Sequence, residues 1–339
     1  MEDTPRHGGD LAYATRRYGE PADGWLDLST GVSPHPYPID ATAIAAALER
    51  LPEPAAIDRL IEAARDAWNI PPETAIMAVA GTEAAIRLVP HTLAATDVSV
   101  FAPTYGSHAP AWMSAGHRVV ANDWPPSQPT NAAVAVLCNP NNPDGRLIGE
   151  DVLHRYVRDR TAAGRFTLID EAFIDLSPDE SLIPRVADLD CLLTRSFGKF
   201  FGLPGLRLGF VVGPPDRVEA IQGLLGDWPV SSAAVEIGTR ALRDEAWQQK
   251  ARSRLAQSAN RLRSLLQTCG LTIVGGTDLF ALVRDGNAPA IHRALARAGV
   301  WTRAFDDQPD WIRIGIPGDS RGFARLETVL AAIRGPSAG

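Results

Sequence analysis

Lysine occurs at only two positions in this chain, Lys199 and Lys250, and arginine supplies the other 31 of its 33 basic residues. A lysine amine can lose its proton and condense with a carbonyl, which a guanidinium cannot do, so a lysine retained in an arginine-dominated chain is a candidate for imine chemistry. Lys250 falls in the polar helical run 247–254 and reads as solvated surface. Lys199 lies in Thr194-Arg195-Ser196-Phe197-Gly198-Lys199-Phe200-Phe201-Gly202, after an apolar strand and among aromatics and glycines that cannot hydrate an ammonium as a surface does. Partial desolvation lowers a lysine pKa and supplies the free amine. Ser196, three residues before it, and Arg207, eight after, could together bind one phosphate. A buried structural lysine or a loop charge is the plain alternative, and the flanking pair tips the balance towards chemistry.

Other positions add partners. Asp170 ends the apolar run Leu168-Ile169-Asp170, and ligands in open α/β sheets bind beyond the carboxyl ends of strands. Taken alone, a strand-end Asp is equally a cap or a surface ion pair. Ala80-Gly81-Thr82-Glu83 reads as a strand, a glycine turn and a helix start, where free N–H groups can meet a phosphate; Thr82 as an ordinary N-cap is the bland reading. Cys138-Asn139-Pro140-Asn141-Asn142-Pro143-Asp144-Gly145 follows another apolar strand, and its tight turns can aim an Asn side chain into a crevice. Tyr105 could stack on a planar ring or simply pack in a core. Arg313, inside the apolar strand Trp311-Ile312-Arg313-Ile314-Gly315, needs an anion, either a substrate carboxylate or a structural partner.

The elements that must hold these residues follow from periodicity. Apolar residues recur at helical spacing over 41–50 and 57–68, and short apolar runs at 98–101, 133–138, 166–169 and 191–193 alternate with helical stretches at 83–94 and 151–163. This is the pattern of a largely parallel sheet covered on both faces. A long helical pattern spans 232–266, followed by strands near 279–283 and 311–314 and helices near 288–298 and 321–333. The expected organisation is therefore an N-terminal arm (1–39), a large α/β domain (40–230), a connecting helix (231–270) and a small C-terminal α/β domain (271–339).

Composition narrows the classes. The 339 residues are 45% hydrophobic and 22% charged, as in an ordinary globular protein. A net charge of −7 offers no general positive field for nucleic acid, and no apolar run approaches the roughly 20 residues of a membrane span. The polar start of the chain lacks the order of a signal peptide, so a cytoplasmic protein is expected. Three scattered cysteines, Cys138, Cys191 and Cys269, support neither a disulfide framework nor a thiolate zinc site, and no metal is expected.

Taken together, Gly81-Thr82-Glu83, Tyr105, Asn142-Pro143-Asp144-Gly145, Asp170, Ser196-x-x-Lys199, Arg207 and Arg313 resemble the aspartate-aminotransferase-like superfamily of pyridoxal-phosphate enzymes across nearly the whole chain. Within it the chain is similar to the histidinol-phosphate aminotransferase group through the 139–145 segment and Asp170-Glu171-Ala172. His7-Gly8-Gly9-Asp10, followed by Trp25-Leu26-Asp27-Leu28-Ser29-Thr30-Gly31, resembles the opening of threonine-phosphate decarboxylases of cobalamin biosynthesis.

The resemblance implies a fold and a set of roles. Lys199 would bond the cofactor aldehyde and later act as general acid, and Asp170 would pair with the ring nitrogen. Asn142 would bond the phenolic oxygen and Tyr105 would stack on the ring. The backbone at Gly81 and Thr82, with Ser196 and Arg207, would hold the phosphate, and Glu83 would belong to the same cofactor-binding set. Arg313 would receive the substrate carboxylate, with His7, Gly8 and Gly9 closing over the substrate. The implied reaction is decarboxylation of O-phospho-L-threonine to (R)-1-amino-2-propanol phosphate by a homodimer, with a histidinol-phosphate-type aminotransferase as the alternative. Two departures stand out: Phe173 replaces a Tyr common in the superfamily, and Leu51 replaces the Tyr of an Arg-Tyr-Pro segment that reaches the neighbouring subunit's cofactor phosphate.

Overall fold

The structure is a computed structural model that describes residues 7–126 and 130–334. From the N-terminus its elements are α1 (Leu11–Tyr18), β1 (Leu26–Asp27), α2 (Ala41–Leu48), α3 (Pro54–Trp68), β2 (Ala75–Val79), α4 (Thr82–Leu88), β3 (Asp97–Ala102), α5 (His108–Ser114) and β4 (Arg118–Asp123). Next come β5 (Val134–Cys138), α6 (Glu150–Ala162), β6 (Phe166–Asp170), β7 (Cys191–Ser196), α7 (Phe197–Phe200), β8 (Gly209–Gly213), α8 (Pro215–Leu225) and α9 (Ser232–Arg243). The chain then forms α10 (Glu245–Thr268), β9 (Thr272–Thr277), β10 (Phe280–Arg284), α11 (Ala288–Arg297), β11 (Val300–Trp301), β12 (Arg303–Ala304), β13 (Trp311–Gly315) and α12 (Ser320–Arg334). The described residues divide into two units, one within 36–142 and 146–248, the other within 7–35, 143–145 and 249–334.

The larger unit is built on a seven-stranded sheet of order β2-β8-β7-β6-β5-β3-β4. The pairs from β7 through β4 are parallel, and β8 runs antiparallel to both β2 and β7. Alternate side chains go to opposite faces. Ala135 and Leu137 pack with Leu153, Tyr156 and Val157 of α6, whereas Val134 and Val136 pack with Trp112 of α5 and Val218 and Ile221 of α8. Burial on both faces explains why these strands read as continuous apolar runs rather than alternating ones.

Two helical expectations are modified by local chemistry. The 83–94 pattern is α-helical only to Leu88, where Pro90 removes an N–H and the chain tightens into a 3-10 turn over Val89–Thr92. The 232–266 pattern is two helices, because Asp244 leaves helical geometry (φ −92°, ψ 71°) and its carboxylate accepts a hydrogen bond from Trp247 N, capping α10.

The smaller unit carries an antiparallel sheet, β12-β13-β10-β9, and a parallel pair of β1 with β11. Ala281, Val283, Ile312 and Ile314 form its core with Leu262 and Leu266 of α10, Ile291 and Leu295 of α11, and Phe323, Leu326 and Leu330 of α12. The N-terminal segment is tied in twice. Leu26 registers with Val300, and Ala14 of α1 packs with Trp301 among Tyr13, Tyr18 and Trp25.

Candidate active site

Asp170 is the last residue of β6, and register decides its neighbours. Cys138 at the end of β5 lies opposite it on one side and Thr194 of β7 on the other. Facing residues of adjacent strands share one side of a sheet, so these three side chains converge. Thr194 Oγ1 donates to Asp170 Oδ1 at 2.9 Å and the Ala172 N–H donates to the same oxygen at 3.2 Å. The other oxygen, Oδ2, faces His108 Nε2 at 3.3 Å. His108 opens α5, is fully buried, and stands edge-on to Tyr105 with ring centroids 5.9 Å apart. Burial disfavours an imidazolium here, but Cys138 and Asp170 outweigh it and push His108 up to about 10.

The next residue along each strand points the other way. Glu171, wholly buried, accepts from Ser181 Oγ at 2.7 Å and Leu182 N at 2.9 Å and pairs with Arg195 at 3.3 Å. Burial raises the Glu171 pKa, and Arg195 opposes that rise. Arg195 also binds Asp175 and lies over the Trp68 ring at 4.5 Å. This buried ion cluster fastens the ends of β6 and β7 from behind the sheet, and removing one partner from such a cluster typically costs about 3–5 kcal/mol.

A second convergence forms at the end of β2. Ser196, the N-cap of α7, registers with Gly209 of β8. A Cβ on Gly209 would stand 2.7 Å from Thr82 N, and one on Gly81 would stand 2.7 Å from Arg207 Nη2. Gly81 has φ +79° and, rather than Thr82, is the N-cap of α4; no side chain caps that end. Arg207, itself at φ +55°, reaches Ala80 O at 3.4 Å and Pro204 O at 3.2 Å. Gly81, Thr82, Ser196 and Arg207 are thus brought together around uncapped backbone amides, an arrangement suited to a phosphate.

Lys199 projects from α7 half-buried, its Nζ 5.8 Å from the centre of the Phe173 ring. Tyr105 donates its hydroxyl to Glu83 Oε2 at 3.2 Å, and burial, with the charges of Glu83 and Asp170, pushes its pKa up to about 12. Glu83 therefore acts on Tyr105 through its side chain. Among the three Asn of the 139–145 segment, two are buried and hold the loop. Asn139 brackets Ile148 N and O at 2.8 and 3.0 Å. Asn141 accepts from Thr104 Oγ1 and donates to Pro103 O, both at 2.9 Å. Asn142 alone of the three is half-buried, and the bonds of Asn141 tie its loop to the one that carries Tyr105.

The expected substrate residues converge within the smaller unit. Gly8 lies so close to Ser29 that a Cβ would meet its carbonyl oxygen at 2.3 Å, and Gly9 N donates to Ser29 Oγ at 2.7 Å. Ser29 is held in turn by Asp27 Oδ1 at 2.6 Å, and Arg313 Nη2 donates to Ser29 O at 2.9 Å. Arg313 is buried, with its guanidinium 4.9 Å from the Phe280 ring centre. Directly opposite it in register is Arg303 of β12. Burial lowers the Arg303 pKa, against the pull of Asp306 and Asp307. Arg303 lines a small cavity with exposed His7, Gly8, Trp301 and Thr302.

Sequence reasoning missed His108, Cys138, Thr194 and Arg303. His108 had a local signal, three residues after Tyr105 at a helix start. The others depend on strand register, which the sequence does not display.

The chain belongs to the aminotransferase class I and II family, its residues 26–326 matching that family. More particularly, it is 37% identical over 333 residues to the threonine-phosphate decarboxylase of Pseudomonas aeruginosa, covering 98% of each chain. It is 36% identical to the protein of the same name from a Sinorhizobium species, covering 96% of this chain and 97% of that one. The fold superposes on the crystal structure of histidinol-phosphate aminotransferase from Sinorhizobium meliloti in complex with pyridoxal-5'-phosphate with a TM-score of 0.83, at 20% identity and 98% coverage of both chains. Among the described residues no helix is long and apolar enough to cross a membrane.

Proposed function

We propose that the protein is a pyridoxal-phosphate-dependent decarboxylase that converts O-phospho-L-threonine to (R)-1-amino-2-propanol phosphate, in cobalamin biosynthesis. The observation that carries this reading is the 37% identity, over 98% of both chains, to a protein named threonine-phosphate decarboxylase.

The residues present fit the cofactor. A buried carboxylate at a strand end suits a ring nitrogen, a half-buried lysine suits the aldehyde, and the Gly81, Thr82, Ser196 and Arg207 cluster suits the phosphate. When bound, pyridoxal phosphate supplies an electron sink for the pair left behind when a bond to the substrate Cα breaks. The protein's part is placement and proton control. Asp170, fixed by Thr194 and Ala172, holds the proton on the ring nitrogen. Lys199 would hold the cofactor aldehyde and would be placed to deliver a proton to the substrate Cα. Asn142 donates to the phenolic oxygen, and Tyr105, its hydroxyl held by Glu83, presents its ring as a stacking surface. Phe173 cannot donate a hydrogen bond, so Asn142 carries that contact without a tyrosine.

Arg313 and Arg303 supply the substrate anion sites. The two arginines stand opposite each other in register on adjacent strands. A substrate with both carboxylate and phosphate answers that arrangement: Arg313 takes the carboxylate, and Arg303, with His7 and the Gly8-Gly9 backbone, takes the phosphate.

The protein acts as a cytoplasmic homodimer. Cys138, Cys191 and Cys269 form no disulfide with one another, which accords with a reducing compartment. None of the residues of the apolar helix α2 is buried within the chain, and Leu48 and Leu51 are each 64% exposed, which a second subunit would relieve. Leu51 would then contribute apolar contact where a tyrosine would reach phosphate.

The test is to supply the loaded protein with O-phospho-L-threonine with and without 2-oxoglutarate. Carbon dioxide and aminopropanol phosphate formed without the oxo acid are expected. Glutamate that appears only with 2-oxoglutarate would replace this reading with an aminotransferase.

A further inference from the structure

His108 Nε2, Cys138 Sγ and Asp170 Oδ2 come from a helix start and two strand ends, and all three residues are buried. Nitrogen and oxygen are 3.3 Å apart, nitrogen and sulfur 3.4 Å, and sulfur and oxygen 3.9 Å. A tetrahedral ion that holds nitrogen and oxygen at about 2.0–2.1 Å and sulfur at about 2.3 Å keeps its ligand atoms about 3.3–3.6 Å apart, so the trio needs a movement of only a few tenths of an ångström. Three Lewis bases already converge on one point with Asp170 locked from its other oxygen by Thr194 and Ala172. Thiolate and carboxylate together would match a divalent charge. A set of sulfur, imidazole nitrogen and one oxygen selects zinc-class ions over magnesium or calcium, which take oxygen.

We propose that the cofactor-free protein captures one thiophilic divalent cation, of the zinc class, on His108, Cys138 and Asp170, and that this capture and cofactor loading exclude each other. Capture is an exchange without redox change: each metal bond forms as any proton on its ligand atom leaves to solvent. The exclusion rests on the reading of Asp170 as the ring-nitrogen partner, since one carboxylate oxygen cannot serve both; the capture itself does not.

Cobalt(II) is the probe, titrated into full-length protein stripped of cofactor and followed by visible absorption and by the near-ultraviolet band that a cobalt–sulfur bond produces. One equivalent should saturate both signals, zinc chloride should abolish them, and protein preloaded with pyridoxal phosphate should show neither. Cys138→Ser, nearly isosteric and checked for folding by circular dichroism, should lose the near-ultraviolet band. Absence of the band in the unsubstituted protein, or its persistence in Cys138→Ser through another cysteine, overturns the capture. A Cys138-dependent band that survives cofactor loading leaves the capture standing and overturns the exclusion, together with the role given to Asp170.

Discussion

Gly81→Ala tests whether the Gly81 and Arg207 contact serves a phosphate. Two consequences separate. At φ +79° an alanine pays a backbone strain of about 1–2 kcal/mol, which lowers the unfolding midpoint of the cofactor-free protein by a few degrees. Its Cβ would also stand 2.7 Å from Arg207 Nη2 and 3.1 Å from Cζ, so the guanidinium must swing away. A hydrogen bond to a charged group contributes about 1.5–3 kcal/mol, so losing one from arginine to phosphate should weaken pyridoxal phosphate binding about 10- to 100-fold. Titration of cofactor-free protein with pyridoxal phosphate, followed by tryptophan fluorescence, reads the affinity; thermal unfolding without cofactor reads the strain. Gly223→Ala in α8, whose Cβ meets nothing within 4 Å, is the control and should change neither adversely. A lowered midpoint with unchanged affinity would refute the reasoning, because Arg207 would then have been moved without consequence for the ligand.

Borohydride reduction of the loaded protein should fix the cofactor mass to the peptide containing Lys199, and Lys199→Ala should take up no label; label on Lys250 would contradict the assignment. Arg303→Ala should raise KM for O-phospho-L-threonine about 10- to 100-fold while leaving pyridoxal phosphate affinity unchanged, and an unchanged KM would remove Arg303 from the phosphate site. His108, held up to about 10 against an ordinary 6.5, contributes stability in full below pH 6.5 and loses it as pH rises through 10. Thermal midpoints measured across that window should fall less steeply in His108→Gln than in the parent protein, and parallel curves would refute the shift.

The residues legible in the sequence were those whose meaning is local. Lys199 declared itself by its aromatic and glycine neighbours, Asp170 by the apolar run it ends, and Arg313 by its conflict with the strand around it. The doubly covered sheet was legible for the same reason, since strands buried on both faces are written as unbroken apolar runs. The parts that escaped depend on distance along the chain. Thr194 and Cys138 matter because they stand beside Asp170, 24 and 32 positions away. Arg303 sits in a two-residue strand too short to show a period, and β4, at the edge of the sheet with several exposed positions, lacks the unbroken buried run of the inner strands. The single helical pattern over 232–266 concealed a break because Asp244 caps through its side chain, a role that periodicity does not register.

A Cβ on Gly209 would meet Thr82 N and one on Gly81 the Arg207 guanidinium, so the proposed phosphate cradle depends on main chain as well as on side chains. Alanine scanning, which removes side chains, would report the cradle at Ser196 and Arg207, and at Gly81 and Gly209 only because it adds a Cβ there. Loop length is the sensitive coordinate: one residue inserted or deleted between Val79 and Thr82, or between Arg207 and Gly209, shifts the amides out of step while leaving every side-chain type in place. Natural variants of such an enzyme should therefore keep glycine at Gly81 and Gly209, and elsewhere around the cradle tolerate exchange of residue types far better than any change in the count of residues through it.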